Sequence, residues 1–253
     1  MVTLKSREEI KILQEGGKIL SSIMAVLQRS VKPGVTALDL DRLAYNLILK
    51  KGGFPSFLNY QPDFAQKPFP NSLCVSVNEV IVHGVPTNKI VFKIGDVVSL
   101  DLGMRYKNLF TDMAQTVGVV RVSPQYQKMM AVCEEALRRA IKVAKAGNTL
   151  GDLGYTIESY VKKNGFAVIQ DLVGHGVGYQ AHEDPLVFNC GYPHKGLRLE
   201  AGMVLALEPM ITLKSGAIKE NPDGSFSTRN GEVAVHFEKT IAILKNKTLI
   251  ITP

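Results

Sequence analysis

Cysteine is scarce in this 253-residue chain, tryptophan is absent, and no long apolar run interrupts it. Cys74, Cys133 and Cys190 are odd in number and far apart, so they can build neither a disulfide framework nor a paired CxxC zinc site. A reducing, cytoplasmic setting is expected. No stretch approaches the roughly 18 apolar residues that span a bilayer, and the start is charged where a secretory signal would turn apolar. Membrane insertion and export are therefore not expected. Hydrophobic residues at 45% and charged residues at 21% lie within the globular range, which excludes disordered and collagen-like chains.

Several common signatures are missing as well. The run Gly174-His175-Gly176-Val177-Gly178 fails as a nucleotide loop, because Tyr179 stands where GxGxxG needs its last glycine. His182-Glu183 opens like the zinc motif HExxH, but Pro185 would spoil the helix and Leu186 replaces the second histidine. No serine elbow or Walker loop occurs. The net charge of +7 is scattered, and Arg138, Arg139, Lys142 and Lys145 read as one solvated helix face. No specific nucleic-acid site is expected, although the excess leaves room for a transient ribosome contact.

What is present reads as helices and short strands. Ser6 and Glu9 have capping-box spacing before a helical apolar pattern that runs to Pro33-Gly34. Thr36, Ser123 and Thr149 open three further helices, which stop at Gly52, Gly147 and Asn164-Gly165. Strand-like runs cover 73–77, 97–102, 110–120, 167–173, 203–211 and 233–244. The class is α+β with antiparallel pairing. An internal duplication organises these elements. Lys32-x-Gly34-x-Thr36-x-x-Asp39-Leu40 returns as Lys145-x-Gly147-x-Thr149-x-x-Asp152-Leu153, and the helix end at Gly52-Gly53 returns at Asn164-Gly165, with Asn164 expected to take the left-handed cap. His83-Gly84-Val85 matches His175-Gly176-Val177, and Gly95 to Asp101 matches Gly202 to Glu208. Residues 1–253 are expected to form one catalytic domain, with halves at about 6–120 and 121–250 that pack about a pseudo-twofold axis.

The repeat carries acids inward. Asp101 and Glu208 end apolar strands, and Asp112 and Glu238 sit in the next apolar run of each half. A buried carboxylate costs several kcal/mol unless a cation or proton compensates it, and four at one axis repel strongly. Two divalent cations would neutralise them, with His175 nearby. Four carboxylates and one imidazole suit Mn, Fe(II) or Co, with Zn possible, and metal-assisted hydrolysis becomes the leading chemistry. His83 and His182 have positional support for a role; His194 and His236 have none and read as structural.

At this level of detail the chain resembles the type I methionine aminopeptidases. The resemblance rests on Cys74 to Pro86, Asp101 with Asp112, Gly174 to Gly178 followed by His182-Glu183-Asp184-Pro185, Leu207-Glu208-Pro209-Met210 and Phe237-Glu238, and covers nearly the whole chain. It implies the pita-bread fold, a curved antiparallel sheet covered by helices. It implies that Asp101 chelates one metal and His175 the other, that Asp112 and Glu238 bridge, and that Glu208 is both ligand and proton shuttle. His182 would polarise the scissile carbonyl, His83 would hold the substrate amide, and Tyr60, Phe69 and Cys74 would line the methionine pocket. The implied reaction releases the initiator methionine from nascent polypeptide N-termini when the second residue is small, in a monomeric enzyme of bacterial type. The missing tryptophan, Ala181 before His182, the long loop from Gln61 to Lys67 and Ala234-Val235-His236 before Glu238 depart from the family pattern and bear on the pocket. Two other readings stand beside it: an Xaa-Pro-directed peptidase of the same superfamily, and a non-catalytic ribosome-binding module.

Overall fold

Residues 2–62 and 67–253 are described by the computed structural model of the chain; the middle of the loop between Gln61 and Lys67 lies outside them. Four helices form where the caps predict. In α1 (Arg7–Ser30), α2 (Ala37–Lys50) and α4 (Leu150–Lys163), the side chains of Ser6, Thr36 and Thr149 accept the third-position N–H, and Glu9, Asp39 and Asp152 reach back to the cap N–H. Each box satisfies donors that a helix start leaves orphaned, and replacing such a cap costs about 1 kcal/mol. In α3 (Pro124–Val143), Ser123 caps and Pro124 occupies the first turn, where its missing N–H costs nothing. Among the described residues no helix is long and apolar enough to cross a membrane.

The strands pair antiparallel throughout the described residues. The first half holds Phe54–Pro55, Val97–Tyr106, Cys74–Val77 and Leu109–Gly118, with the long strand Val97–Tyr106 pairing all three others. The second half holds Thr248–Ile250, Lys239–Ile243, Val204–Leu207, Gly174–Gly176 and Glu183–Val187 in that order. Ala234–His236, Met210–Thr212 and Ala167–Val168 form a smaller sheet, and Ile218–Glu220, Phe226–Thr228 and Val80–Val82 another. Helices α1 and α2 close a core around Leu20, Leu27, Leu40, Leu100 and Met113, while α3 and α4 close a second around Leu137, Ile157, Leu205 and Ile241.

Equivalent positions repeat in detail. Thr36 bridges Val91 and Thr149 bridges Arg198; Phe54 pairs with Arg105 where Ala167 pairs with Thr212. Two expectations need correction. Asn164 is not left-handed: it has φ −89° and ψ 2°, like Lys51 at −91° and 4°, and Gly165 takes the positive φ that Gly52 takes. Glycine carries no Cβ penalty there, so it wins the position over asparagine. His83 is also not the structural partner of His175. His175 pairs with Ala206, and Ser76 pairs with Ser99, the residue whose place in the first half matches Ala206 when Asp101 matches Glu208. His83 instead lies beyond Val80–Val82 with φ 57°. The runs 203–211 and 233–244 are each broken in two, at Glu208-Pro209 and at Phe237-Glu238, and their outer pieces change sheets. Proline has no N–H for a ladder, so the chain leaves the sheet there. The run 167–173 is strand only at Ala167–Val168.

The halves are stitched where Leu109–Gly118 runs beside residues 236–240. Glu238 N–H donates to Ala114 O at 2.9 Å. At one end the Thr240 hydroxyl accepts Asp112 N–H at 3.0 Å and donates to Asp112 O at 2.7 Å. At the other, the Thr116 hydroxyl accepts His236 N–H at 3.0 Å and donates to His236 O at 2.7 Å. Since its own proton is committed, Thr116 also accepts from Ser99, 2.8 Å away. Each threonine thus supplies two bonds from its side chain, on either side of the direct Glu238–Ala114 bond. Thr116→Val keeps the shape but orphans both main-chain groups of His236, each worth about 1–3 kcal/mol when buried. It is expected to lower stability by about 2–6 kcal/mol in urea unfolding at unchanged slope, with Thr116→Ser close to wild type.

Candidate metal centre

The stitched seam delivers the acids to one place. Asp101 lies opposite Ala114 and Asp112 opposite Gly103, so the two carboxylates share a sheet face as diagonal neighbours. Lys239 pairs with Leu207, which puts Glu208 and Glu238 side by side just past the paired ends of their strands. Asp112 and Glu238 are almost fully buried, at 3% and 2% exposure, whereas Asp101 and Glu208 are partly open. Ligand atoms of Asp112, His175 and Glu238 all lie within 4.8 Å of one another. His175 Nε2 is 3.6 Å from Glu208 Oε1.

Hydrogen bonding prepares these groups for a cation. His175 Nδ1 is 2.8 Å from Gly176 O, and a carbonyl can only accept, so Nδ1 carries the proton and Nε2 presents its lone pair. Buried oxygens Asp101 Oδ1, Asp112 Oδ1 and Glu238 Oε1 have no hydrogen-bond partner. Orphaned carboxylate oxygens converging on a lone-pair imidazole fit a divalent metal site. Burial pushes Asp101 and Glu208 up to about 7. It lifts Asp112 and Glu238 well above the usual carboxylate range, with the neighbouring acids adding to the effect.

The histidines surround this cluster. His182 Nδ1 lies 3.1 Å from Tyr60 OH, its ring stacks on Tyr60 at 5.2 Å, and it approaches the His175 ring to 4.2 Å. Packing around the ring, then His175 and His83, hold its pKa well below the usual value although one edge meets solvent. Burial, with His236 assisting, pushes His83 down to about 4; its ring meets Phe226 edge-on at 5.8 Å. Cys74 pairs with Asp101 across the strands and is buried, and burial beside Asp101 and Asp112 raises its thiol, which stays protonated. Phe69 is half-buried and reaches Tyr60 through the main chain, its N–H donating to Tyr60 O at 2.9 Å.

A model of metallopeptidase family M24 matches residues 11–245. The chain belongs to metallopeptidase family M24. It is 41% identical to the methionine aminopeptidase of Clostridium perfringens over 253 residues, covering 100% of this chain and 99% of that protein. It is 38% identical to methionine aminopeptidase 1 of Bacillus subtilis, again over 253 residues and 100% and 99% of the two chains. The crystal structure of methionine aminopeptidase from Thermotoga maritima superposes with a TM-score of 0.95 at 37% identity, covering 100% of this chain and 99% of that one. The prolidase of Pyrococcus horikoshii OT3, at 24% identity, a TM-score of 0.75 and 99% and 63% coverage, shares the fold alone. The α+β, pita-bread architecture expected from the sequence is therefore the one this M24 chain adopts.

Two residues of the site carry no clear sequence signal. His236 is 1% exposed with Nε2 3.5 Å from Glu208 Oε2 and no hydrogen bond, so it belongs with the cluster rather than with His194, whose side chain is 92% exposed. Its position two residues before Glu238 was the available hint. Buried Asn189 donates to Glu208 O at 3.0 Å and Leu172 O at 3.2 Å, holding the chain at the break before Pro209. A lone polar residue after Leu186-Val187-Phe188 is too common to single out.

The raised carboxyls set a pH dependence. Between the ordinary values of 3.8 and 4.5 and about 7, these carboxyls hold more protons in the folded metal-free protein than in the unfolded chain, so their contribution to stability falls as pH rises through that window, against a smaller opposite contribution from the buried histidines His83, His182 and His236. Divalent metal should cancel this loss and release protons on binding. Melting of chelator-treated and metal-loaded protein at about pH 5 and about pH 8 checks it. A metal-free melting point that rises between those two pH values would contradict the cluster.

Proposed function

We propose that residues 1–253 act as one catalytic domain, a metal-dependent methionine aminopeptidase that removes the initiator methionine from nascent chains when the second residue is small. The supporting observation is the set of orphaned carboxylate oxygens facing the His175 lone pair, in a chain similar end to end to methionine aminopeptidases. In this reading Asp101, Asp112, His175, Glu208 and Glu238 hold two divalent ions, of Mn, Fe(II), Co or Zn. The bound ions supply Lewis-acid polarisation and bring a water's pKa toward neutrality.

The protein's own groups do the rest. Glu208, partly open at the edge of the cluster, takes a proton from the attacking water and returns it to the leaving amine. His182 stays neutral; with the Tyr60 hydroxyl donating to Nδ1, its Nε2–H is left to donate to the scissile carbonyl oxygen. Neutral His83 offers a hydrogen bond to the substrate amide. Tyr60, Phe69 and the protonated Cys74 form the wall of the methionine pocket, a soft surface for a thioether. The enzyme works in this reading as a cytoplasmic monomer, and its +7 charge favours transient contact with the phosphate-rich ribosome surface.

Metal-loaded protein is expected to hydrolyse Met-Ala-Ser and to leave Xaa-Pro peptides untouched. Asp112→Asn and His175→Ala should each lower kcat/KM on the order of 100-fold or more, since even the outer partners of metal ligands are worth about 10–100-fold. Cleavage of Xaa-Pro but not Met-Ala would favour the prolidase-like reading, and no turnover with Mn, Fe(II), Co or Zn would count against an enzyme.

A further inference from the structure

The segment ahead of α1 is bound into the loop that carries His182. Lys5 Nζ lies 2.5 Å from Glu183 Oε2, with side chains 1% and 7% exposed. The Thr3 hydroxyl donates to the same oxygen at 2.5 Å, and the Lys5 ammonium also donates to Thr3. The other Glu183 oxygen, Oε1, accepts the main-chain N–H of Tyr179 and that of Gln180 at 2.8 Å. Glu183 therefore folds the chain from Tyr179 back on itself, and His182 is the residue inside that ring next to it.

Further contacts fix the ring from outside. Lys5 N–H donates to Gly202 O at 2.8 Å, and the Lys5 ammonium lies 4.8 Å from the centre of the Tyr179 ring. Tyr179 OH donates to Glu9 Oε1 at 2.8 Å in the first turn of α1. Phe110 N–H holds Gly178 O at 2.7 Å from the other side, and a Cβ at Gly178 would collide with the Lys5 side chain. An enclosed carboxylate stripped of its cation cannot stay where it is without penalty. If Glu183 left, the N–H groups of Tyr179 and Gln180 would lose their acceptor, and the loop would be free to shift.

We propose that Lys5 is a positioning residue for His182: its buried ion pair with Glu183 holds the 178–183 loop so that the imidazole faces the substrate. This rests on the role given to His182 above. Lys5 touches neither substrate nor the metal cluster in this arrangement; it acts only through the loop. A misplacement on the order of 1 Å in such a group can cost about 100-fold in rate.

The test uses the full chain, loaded with metal, and Met-Ala-Ser as substrate. Lys5→Met should keep its metal content and KM within about threefold while kcat falls between about 10- and 100-fold. Lys5→Met combined with Glu183→Gln, which removes the stranded charge and keeps an acceptor for Gln180, should recover much of that loss and serves if Lys5→Met alone folds poorly. In a His182→Ala background Lys5→Met should cost nothing further, whereas a purely structural role predicts multiplied losses. The imidazole NMR signals of His182 should also shift in Lys5→Met, a readout independent of turnover. Unchanged kcat with only a lower melting point, multiplied losses with His182→Ala, or unmoved His182 signals would overturn the proposal. If wild type fails on Met-Ala-Ser, or His182→Ala is fully active, the functional reading fails instead, and the NMR shift still decides whether Lys5 holds the loop.

Discussion

Four acids crowded where two halves of a chain meet repel one another, and much of the surrounding structure holds them together regardless. Asp112 and Glu238 are buried, and three of the acids keep an oxygen with no partner. Their neighbours offset only part of that cost: His236 eases Asp101, the Met113 N–H eases Asp112 and Lys239 eases Glu238, and metal or protons must supply the rest. The backbone holds them in place, through the Glu238–Ala114 bond and the two threonines that tie Asp112 and His236 across the seam. A site so arranged is complete as a scaffold and incomplete as a charge balance, which is the condition for binding cations tightly.

The duplication explains the site's shape and its asymmetry together. Asp101 and Asp112 lie inside two long strands, where the register alone aims them at one face. Their counterparts Glu208 and Glu238 lie at breaks, where the chain leaves one sheet for another. Glutamate has one more methylene than aspartate, which suits a carboxylate that must reach back from a strand end. The second half also places His175 where the first has Ser76, so only one side of the centre offers an imidazole from the strand. Two copies of one unit in this way present different groups to the centre.

Groups outside the cluster set the orientation of those inside. Gly176 O selects the His175 tautomer, Tyr60 fixes the His182 ring, Asn189 steadies the turn at Glu208, and the Lys5–Glu183 pair braces the loop behind His182. Catalytic geometry depends on such supporting contacts as much as on the reacting groups themselves.

Local chemistry was legible in the residues. Capping boxes, the acids isolated in apolar runs and the repeat each obey short spacings, so the four helices, the α+β class and the candidate groups Asp101, Asp112, His175, Glu208 and Glu238 could be named from the sequence, and the structure draws Asp112, His175 and Glu238 together. Its register was less legible: Asn164 takes the conformation of Lys51 and leaves the left-handed place of Gly52 to Gly165, and the strand position of His175 is matched by Ser76 although His83 shares its letters. The change of sheet at Phe237, the entry of His236 into the cluster and the pairing of Lys5 with Glu183 were decided only by tertiary structure. These depend on contacts between residues more than a hundred positions apart, such as Thr116 with His236 and Lys5 with Glu183. Such contacts leave no periodicity in the chain, because their cost and gain arise only when distant segments exclude water together.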